Sequence, residues 1–393
     1  MDDYGVLMRW RLNPASSQME YSPTIWIHAR QASKDTETRM PSLKSKNQPG
    51  LLLVGKFLSG SVGNRSVCED LAVALETAGW SVLTSSSRPG RLERLFDFLL
   101  TVWRQRHIYT VAHIDVYSGR AFVWAELVGW ALRMLKKPYV LTLHGGNLPV
   151  FARRSDQRVR RLLQSSSAVT APSRYLLEQM RQYRQDIVLL PNPLDLAKYS
   201  FKHREHPVPN LVWLRAFRDV YNPSLAVRAV ALLANNFSTV RLVMIGPNSG
   251  DGSRESMLDL AQKIGVQDRV VCPGQVPKDE ISHWLQQGDI FLNTTGVDNT
   301  PVSVLEAMAC GLCIVSTNVG GIPYMLKDEY DALLVPADDP AAMAKAVQRF
   351  LTEDGLAERL SGNARRKAEQ FDWSNILPRW ERLFTAVSRG HTT

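Results

Sequence analysis

Asp298-Asn-Thr-Pro-Val-Ser-Val-Leu-Glu306, continuing as Ala-Met-Ala-Cys-Gly311, sets two carboxylates eight positions apart across the start of a predicted helix. Thr300 is a good N-cap, and Pro301 suits the first helical position, where the missing N–H has no partner to lose. Asp298 then lies in the loop before the helix and Glu306 in its second turn. A helix N-terminus presents unpaired N–H groups and the positive end of the peptide dipole, so it favours a phosphate. Carboxylates flanking that end accept hydrogen bonds from neutral sugar hydroxyls. A phosphate between two polyol-binding acids describes a nucleotide sugar. The plainer reading is a capped helix with two surface acids. Leu312–Thr317, a short buried-strand pattern, and the following Asn318-Val-Gly-Gly-Ile-Pro323 favour the ligand site. Strand ends followed by glycines are where open α/β sheets take ligands, because the backbone can approach a phosphate closely.

The elements that must position these residues alternate. In the first half, strands are expected at Leu51–Phe57, Ser81–Thr84, Tyr109–Val116, Tyr139–Leu143, Ala168–Ala171 and Ile187–Leu190. Gly60-Ser-Val-Gly63 follows the first strand, and a helix runs from Asn64 or Arg65 to Ala78. Pro191-Asn-Pro193 and Pro207-Val-Pro209 interrupt the pattern. It then restarts with strands at Leu211–Leu214, Arg241–Ile245, Val270–Cys272, Ile290–Asn293 and Cys313–Ser316. Helices fall at about Pro223–Asn235, Ser253–Ile264, Lys278–Gln287, Pro301–Cys310, Ala341–Leu351, Leu356–Glu369 and Pro378–Val387. Strands alternating with helices imply parallel sheets with right-handed crossovers. The expected architecture is α/β, two doubly wound Rossmann-like halves facing across a cleft. Residues 1–50 read as a poorly ordered extension, 51–205 and 206–370 as the two halves, and 371–393 as a helix returning to the first half.

With 393 residues the chain has room for two cores of ordinary size, and its composition is that of a folded globular protein. The cysteines, Cys68, Cys272, Cys310 and Cys313, form no disulfide framework, which points to a reducing compartment. Cys310-Gly-Leu-Cys313 lacks a second pair and reads as packing. No apolar run is long enough to span a bilayer, and the N-terminus has no signal-peptide pattern. A cytoplasmic protein is expected, associated with the inner face of the membrane at most. Residues 51–200 hold 20 Lys and Arg against 11 Asp and Glu, whereas residues 201–393 hold 20 against 22. The first half is the basic one, which suits an anionic surface or partner but equally a solvated charged face.

Together these features resemble the retaining group-1 transferases of glycosyltransferase family 4, which have the GT-B fold. The resemblance covers about residues 51–390 and is strongest from Asp298 to Pro323, which is similar to the family's acid-x7-Glu motif. It implies transfer of a sugar from a nucleotide-sugar donor, UDP- or GDP-linked, to a lipid-linked or saccharide acceptor with retention of configuration. It places the donor mainly on the C-terminal half. By the same resemblance Glu306 binds the ribose hydroxyls, and Asp298 takes the place of a glutamate that contacts the donor sugar. Val302 and Ser303 offer backbone N–H groups to the diphosphate, and Gly320 and Gly321 match a glycine pair. Arg215, in Trp213-Leu-Arg-Ala-Phe-Arg218, matches the residue that clamps the diphosphate. A guanidinium suits that task by its fork of donors. The usual lysine five residues on is Val220 here, and Arg218 is the substitute considered. Gly60 and Gly63 match a glycine loop, His144 a pocket histidine, and Asn192 a position between the halves. Gln275, Val276 and Pro277 fall where the base would lie.

No Asp-x-Asp pair occurs, so arginine and the helix dipole are expected to offset the diphosphate charge without a metal or other cofactor. Two alternatives keep the same site: a nucleotide-sugar epimerase, and a non-catalytic nucleotide-sugar-binding protein. Nucleic acid is not an expected partner, since the basic residues form no recognition motif. Arg91–Arg106 and Phe122–Lys137 mix aromatic, aliphatic and basic residues at helical spacing. Such helices either lie at an anionic membrane surface or are ordinary amphipathic helices turned to the core.

Overall fold

The computed structural model describes residues 8–12, 19–23, 49–55, 57, 66–86, 88 and 90–390. The rest of the segment read as an extension, and the loop carrying Gly60 and Gly63, lie outside the described residues. Within the extension, β1 (Met8–Leu12) and β2 (Met19–Pro23) pair antiparallel as a ribbon. This ribbon belongs to a unit of its own, separate from residues 45–393.

The larger unit holds two six-stranded sheets, parallel throughout. The first contains β3 (Leu51–Val54), β4 (Val82–Ser85), β5 (Val111–Val116), β6 (Tyr139–Leu143), β7 (Ala168–Ala171) and β8 (Val188–Leu189). Its order is β4-β3-β5-β6-β7-β8. The second contains β9 (Asn210–Leu214), β10 (Arg241–Ile245), β11 (Val270–Gly274), β12 (Ile290–Asn293), β13 (Cys313–Thr317) and β14 (Leu333–Val335), in the order β11-β10-β9-β12-β13-β14. Continuous apolar strands such as Leu51-Leu-Leu-Val54, buried along their whole length, are what a parallel sheet covered on both faces demands. In each sheet the chain reverses its direction of travel once, between β3 and β5 and between β9 and β12. Ligands of doubly wound sheets bind outside the carboxyl ends of the strands flanking such a reversal.

The expected two-lobed α/β fold is therefore present, and its element ends move where local capping decides them. The first described helix of the N-terminal lobe is Val67–Thr77, closed by a capping box between Ser66 and Glu69. The last helix, expected from Pro378, begins five residues earlier and spans Trp373–Ser388, because Asp372 accepts a hydrogen bond from the Ser374 amide at 2.9 Å. Pro378 sits inside it and costs only one intrahelical bond near the start. Ile376, Trp380, Leu383 and Phe384 of this helix pack with Leu51, Leu53, Leu75 and Val111 of the N-terminal lobe. Trp80 Nε1 adds a hydrogen bond to Glu381 at 2.9 Å. The short edge strand β14 was not anticipated from sequence, since three residues carry too little periodicity to stand out.

Candidate functional site

Two strand ends at the reversal point of the C-terminal sheet supply the first half of the site. Arg215 follows β9, and its amide is held by the Ile245 carbonyl at 2.9 Å. Asp298 lies in the loop after β12. The Arg215 Nη2 donates to Asp298 Oδ2 in a salt bridge, while the Asn299 amide donates to Oδ1 at 2.8 Å. The guanidinium also lies 4.3 Å from the Tyr221 ring centre, a cation–π contact that fixes its plane. Its Nε is buried without a partner. Burial pushes the Asp298 carboxyl above its ordinary range, with the Arg215 charge and the Asn299 amide opposing.

The helix after Asp298 spans Val302–Ala309, with Pro301 and not Thr300 as its N-cap. Thr300 does not cap: its Oγ1, like the Ser303 hydroxyl, is buried without a hydrogen-bond partner. Pro301 itself is extended, with φ −68° and ψ 120°, so the helix starts one residue late. No side chain caps this end, which leaves the first-turn N–H groups of Val302 and Ser303 for another acceptor. Glu306, one and a half turns on, is buried and accepts from Tyr199 Oη at 2.7 Å. Burial raises its pKa to about 7, against the Tyr199 hydrogen bond and the positive charges of Lys278 and Arg215.

Gly320 and Gly321 pack closely against the acid loop that precedes the Val302 helix. A Cβ on Gly320 would stand 2.3 Å from the Asp298 carbonyl oxygen, and one on Gly321 would stand 1.9 Å from that of Asn299. Their backbone clasps this loop, with the Gly321 amide donating to the Asp298 carbonyl at 2.9 Å. Gly320 also takes φ +54°, where side chains are strained.

The N-terminal lobe faces this loop. A Cβ on Gly146 would lie 3.6 Å from the Asp298 carbonyl oxygen, so the His144-Gly-Gly turn abuts the Asp298 loop. His144 Nε2 meets Asp115 Oδ1 at 2.9 Å, and its ring stacks on Tyr117 at 4.9 Å. Burial alone would raise Asp115, but the charge and hydrogen bond of His144, with help from His113 and Cys68, hold it below its usual value. Asn192 lines a cavity of about 20 Å³ together with Cys68, His113, Asp115 and His144, room for one water molecule. Among the described residues Cys68, His113 and Asp115 are the group whose ligand atoms could hold a cation, lying within 4.8 Å of one another. Burial holds the Cys68 thiol protonated, and His144 already occupies Asp115. The cluster fits best as a buried support for His144.

Further contacts tie the lobes at the cleft. Lys278 Nζ bonds Asp70 Oδ2 at 2.7 Å, Ser173 Oγ donates to Asn299 Oδ1, and the Tyr175 and Tyr324 rings lie 5.8 Å apart. Arg218 is exposed and forms no ion pair among the described residues. Lys278 follows directly on Gln275-Val276-Pro277, and its place in the chain alone suggested no role. Tyr199 and Asp115 were also missed. Asp115 was findable as an acid at a strand's carboxyl end; Tyr199, 107 residues from Glu306, left no signal.

Residues 67–198 match the family model described as Glycosyltransferase Family 4, and residues 198–367 match Glycosyl transferases group 1. The chain belongs to these glycosyltransferases. A D-inositol 3-phosphate glycosyltransferase of Acidothermus cellulolyticus is 33% identical over 173 residues, 42% of this chain and 38% of the relative. A D-inositol 3-phosphate glycosyltransferase of Xylanimonas cellulosilytica is 31% identical over 152 residues, 38% of this chain and 36% of that protein. The matched stretch spans less than two fifths of these relatives. A sucrose-phosphate synthase of Thermosynechococcus elongatus superposes with a TM-score of 0.72 at 20% identity, over 88% of this glycosyltransferase-family chain and all of the other. HepE of Anabaena, solved with UDP and glucose, gives 0.68 at 16% identity over 86% of this chain and 100% of that one. The fold is GT-B.

Proposed function

We propose that this protein transfers a sugar from a UDP- or GDP-linked donor to a lipid-linked or saccharide acceptor, with retention of anomeric configuration. The setting proposed is cell-envelope or exopolysaccharide assembly on the cytoplasmic side of the membrane. One observation carries the reading: the Arg215–Asp298 pair and the uncapped start of the Val302 helix converge in the loop that abuts the His144 turn. The UDP and glucose held by HepE support a donor of this class.

In this reading the diphosphate takes up the Val302 and Ser303 amides and the Arg215 guanidinium, and Glu306 receives the ribose hydroxyls. Arginine and the helix dipole offset the leaving-group charge, so no metal is required. The carboxylates near the donor already have partners: Asp298 holds Arg215, Glu306 holds Tyr199, and Asp115 holds His144. That favours same-face attack over a carboxylate nucleophile. The acceptor oxygen bonds to the anomeric carbon as the bond to the β-phosphate oxygen breaks, and the acceptor proton passes to that departing oxygen. His144 and Asp298 orient the sugar.

The test is a thermal-shift panel of UDP, GDP and ADP on wild type and Glu306→Ala, followed by transfer assays with sugars on the base that binds. A nucleotide at a hundred times its dissociation constant stabilises the fold by about 2.7 kcal/mol. Stabilisation of wild type only, then chelator-resistant transfer whose product keeps the donor's anomeric configuration by NMR, is the expected result. Sugar interconversion without acceptor would identify an epimerase, and binding without turnover a sensor. Trapping a glycosyl–enzyme adduct would overturn the mechanism.

A further inference from the structure

The helices Arg91–Arg104 and Phe122–Met134 each carry two apolar stripes, of which only one faces the core. Phe98 and Val102 of the first, and Phe122, Ala125, Val128 and Leu132 of the second, are buried in the N-terminal lobe. The helices pack side by side, with the Phe98 and Trp124 rings edge to face at 6.4 Å. A second stripe on the first helix, Leu92, Phe96 and Trp103, is 82%, 69% and 57% exposed. On the second helix Val123, Leu127, Trp130 and Met134 recur at four, three and four residues and point to solvent, Trp130 and Met134 at 56% and 67%. The spacing of i, i+4, i+7 and i+11 puts each set on one face. Core packing accounts for the inner stripes and leaves the outer ones unpartnered among the described residues.

We infer that this double stripe docks the N-terminal lobe onto an anionic lipid surface. Charge selects lipid over a protein partner. The C-terminal ends of both helices carry the tryptophans together with Arg104, Arg106, Arg133 and Lys136, and Arg104 and Lys136 form no ion pair among the described residues. Arg106 lies over the Trp103 ring at 4.8 Å. Aromatic rings beside cations, over aliphatic side chains, suit a headgroup boundary. Of the acids on these helices, Glu126 is neutralised by Arg158, Asp97 accepts from Ser85, and Glu93 is exposed. The stripes begin, at Leu92 and Val123, at the edge of the sheet where the strands end and the candidate site opens, so a lipid-linked acceptor would arrive beside the cleft. The surface stands on its own exposure pattern and holds whether or not the transfer reading does.

The test is co-sedimentation of the full chain with vesicles of phosphatidylcholine alone and of phosphatidylcholine with phosphatidylglycerol, at low and high salt. Wild type should partition onto the anionic vesicles and come off as salt rises. Trp103→Ser with Trp130→Ser should lower partition about tenfold while melting temperature stays unchanged, since both side chains are largely exposed. Arg104→Gln with Lys136→Gln should lose the preference for anionic lipid. Wild type remaining in the supernatant, equal recovery on neutral vesicles at all salts, or equal binding by the tryptophan variant would overturn the inference. So would a lipid-free dimer that the tryptophan variant abolishes, which would assign the face to self-association.

Discussion

Tyr199 donates its hydroxyl hydrogen to Glu306 at 2.7 Å, joining the segment between the lobes to the buried acid of the Val302 helix. Both groups are buried, so neither has water to fall back on. Tyr199→Phe should leave the carboxyl without its partner and cost about 1–3 kcal/mol of stability. It should also push the Glu306 pKa further up, because the hydrogen bond lowers it. Urea unfolding beside nucleotide titration checks both, and an unchanged midpoint would remove the contact's structural role.

Stability should fall as pH rises across the Glu306 titration. The folded chain keeps this proton to about pH 7, whereas the unfolded chain releases it near 4.5. A raised folded pKa gives stability that is complete below 4.5 and is lost on the way to 7. Wild type measured against Glu306→Gln should show a difference that changes by about 3 kcal/mol over that window. A constant difference would mean that Glu306 is ionised throughout.

In the proposed reading Asp298 competes with a diphosphate for Arg215, since the two form a salt bridge. Asp298→Asn should therefore bind UDP or GDP about tenfold tighter, roughly 1.4 kcal/mol, while transferring sugar more slowly. Arg215→Ala should lower turnover by about 10²–10³. Calorimetric titration with the nucleotide and initial rates separate the two effects. Weaker nucleotide binding by Asp298→Asn would refute the competition.

Gly321→Ala should destabilise the chain by about 3 kcal/mol and weaken nucleotide binding, because the new methyl would meet the Asn299 carbonyl oxygen at 1.9 Å. Gly362→Ala is the control. It lies inside a helix with its nearest neighbour at 3.7 Å, and should gain up to about 1 kcal/mol. Equal melting temperatures for the two variants would show that the acid loop yields.

The strand and helix alternation was legible because buried parallel strands leave apolar runs, such as Leu51–Val54 and Cys313–Thr317, that stand out against their surroundings. Asp298 and Glu306 were legible for a different reason: their spacing spans a helix start, and local geometry follows from local sequence. Other features were not. The Thr300 cap gave way to Pro301, β14 was too short to register, and Gly320 and Gly321 serve the backbone of Asp298 and Asn299.

What the sequence by itself determined was the set of chemical groups and the local elements that carry them. Tertiary structure alone decided which groups meet. Asp115 and His144, Tyr199 and Glu306, and Asp70 and Lys278 are 29, 107 and 208 residues apart, and each pair is made by packing of elements whose separation along the chain encodes nothing about contact. It also decided which apolar stripe of the Arg91 and Phe122 helices is core and which is surface, since both stripes have the same period and only the sheet beneath selects between them.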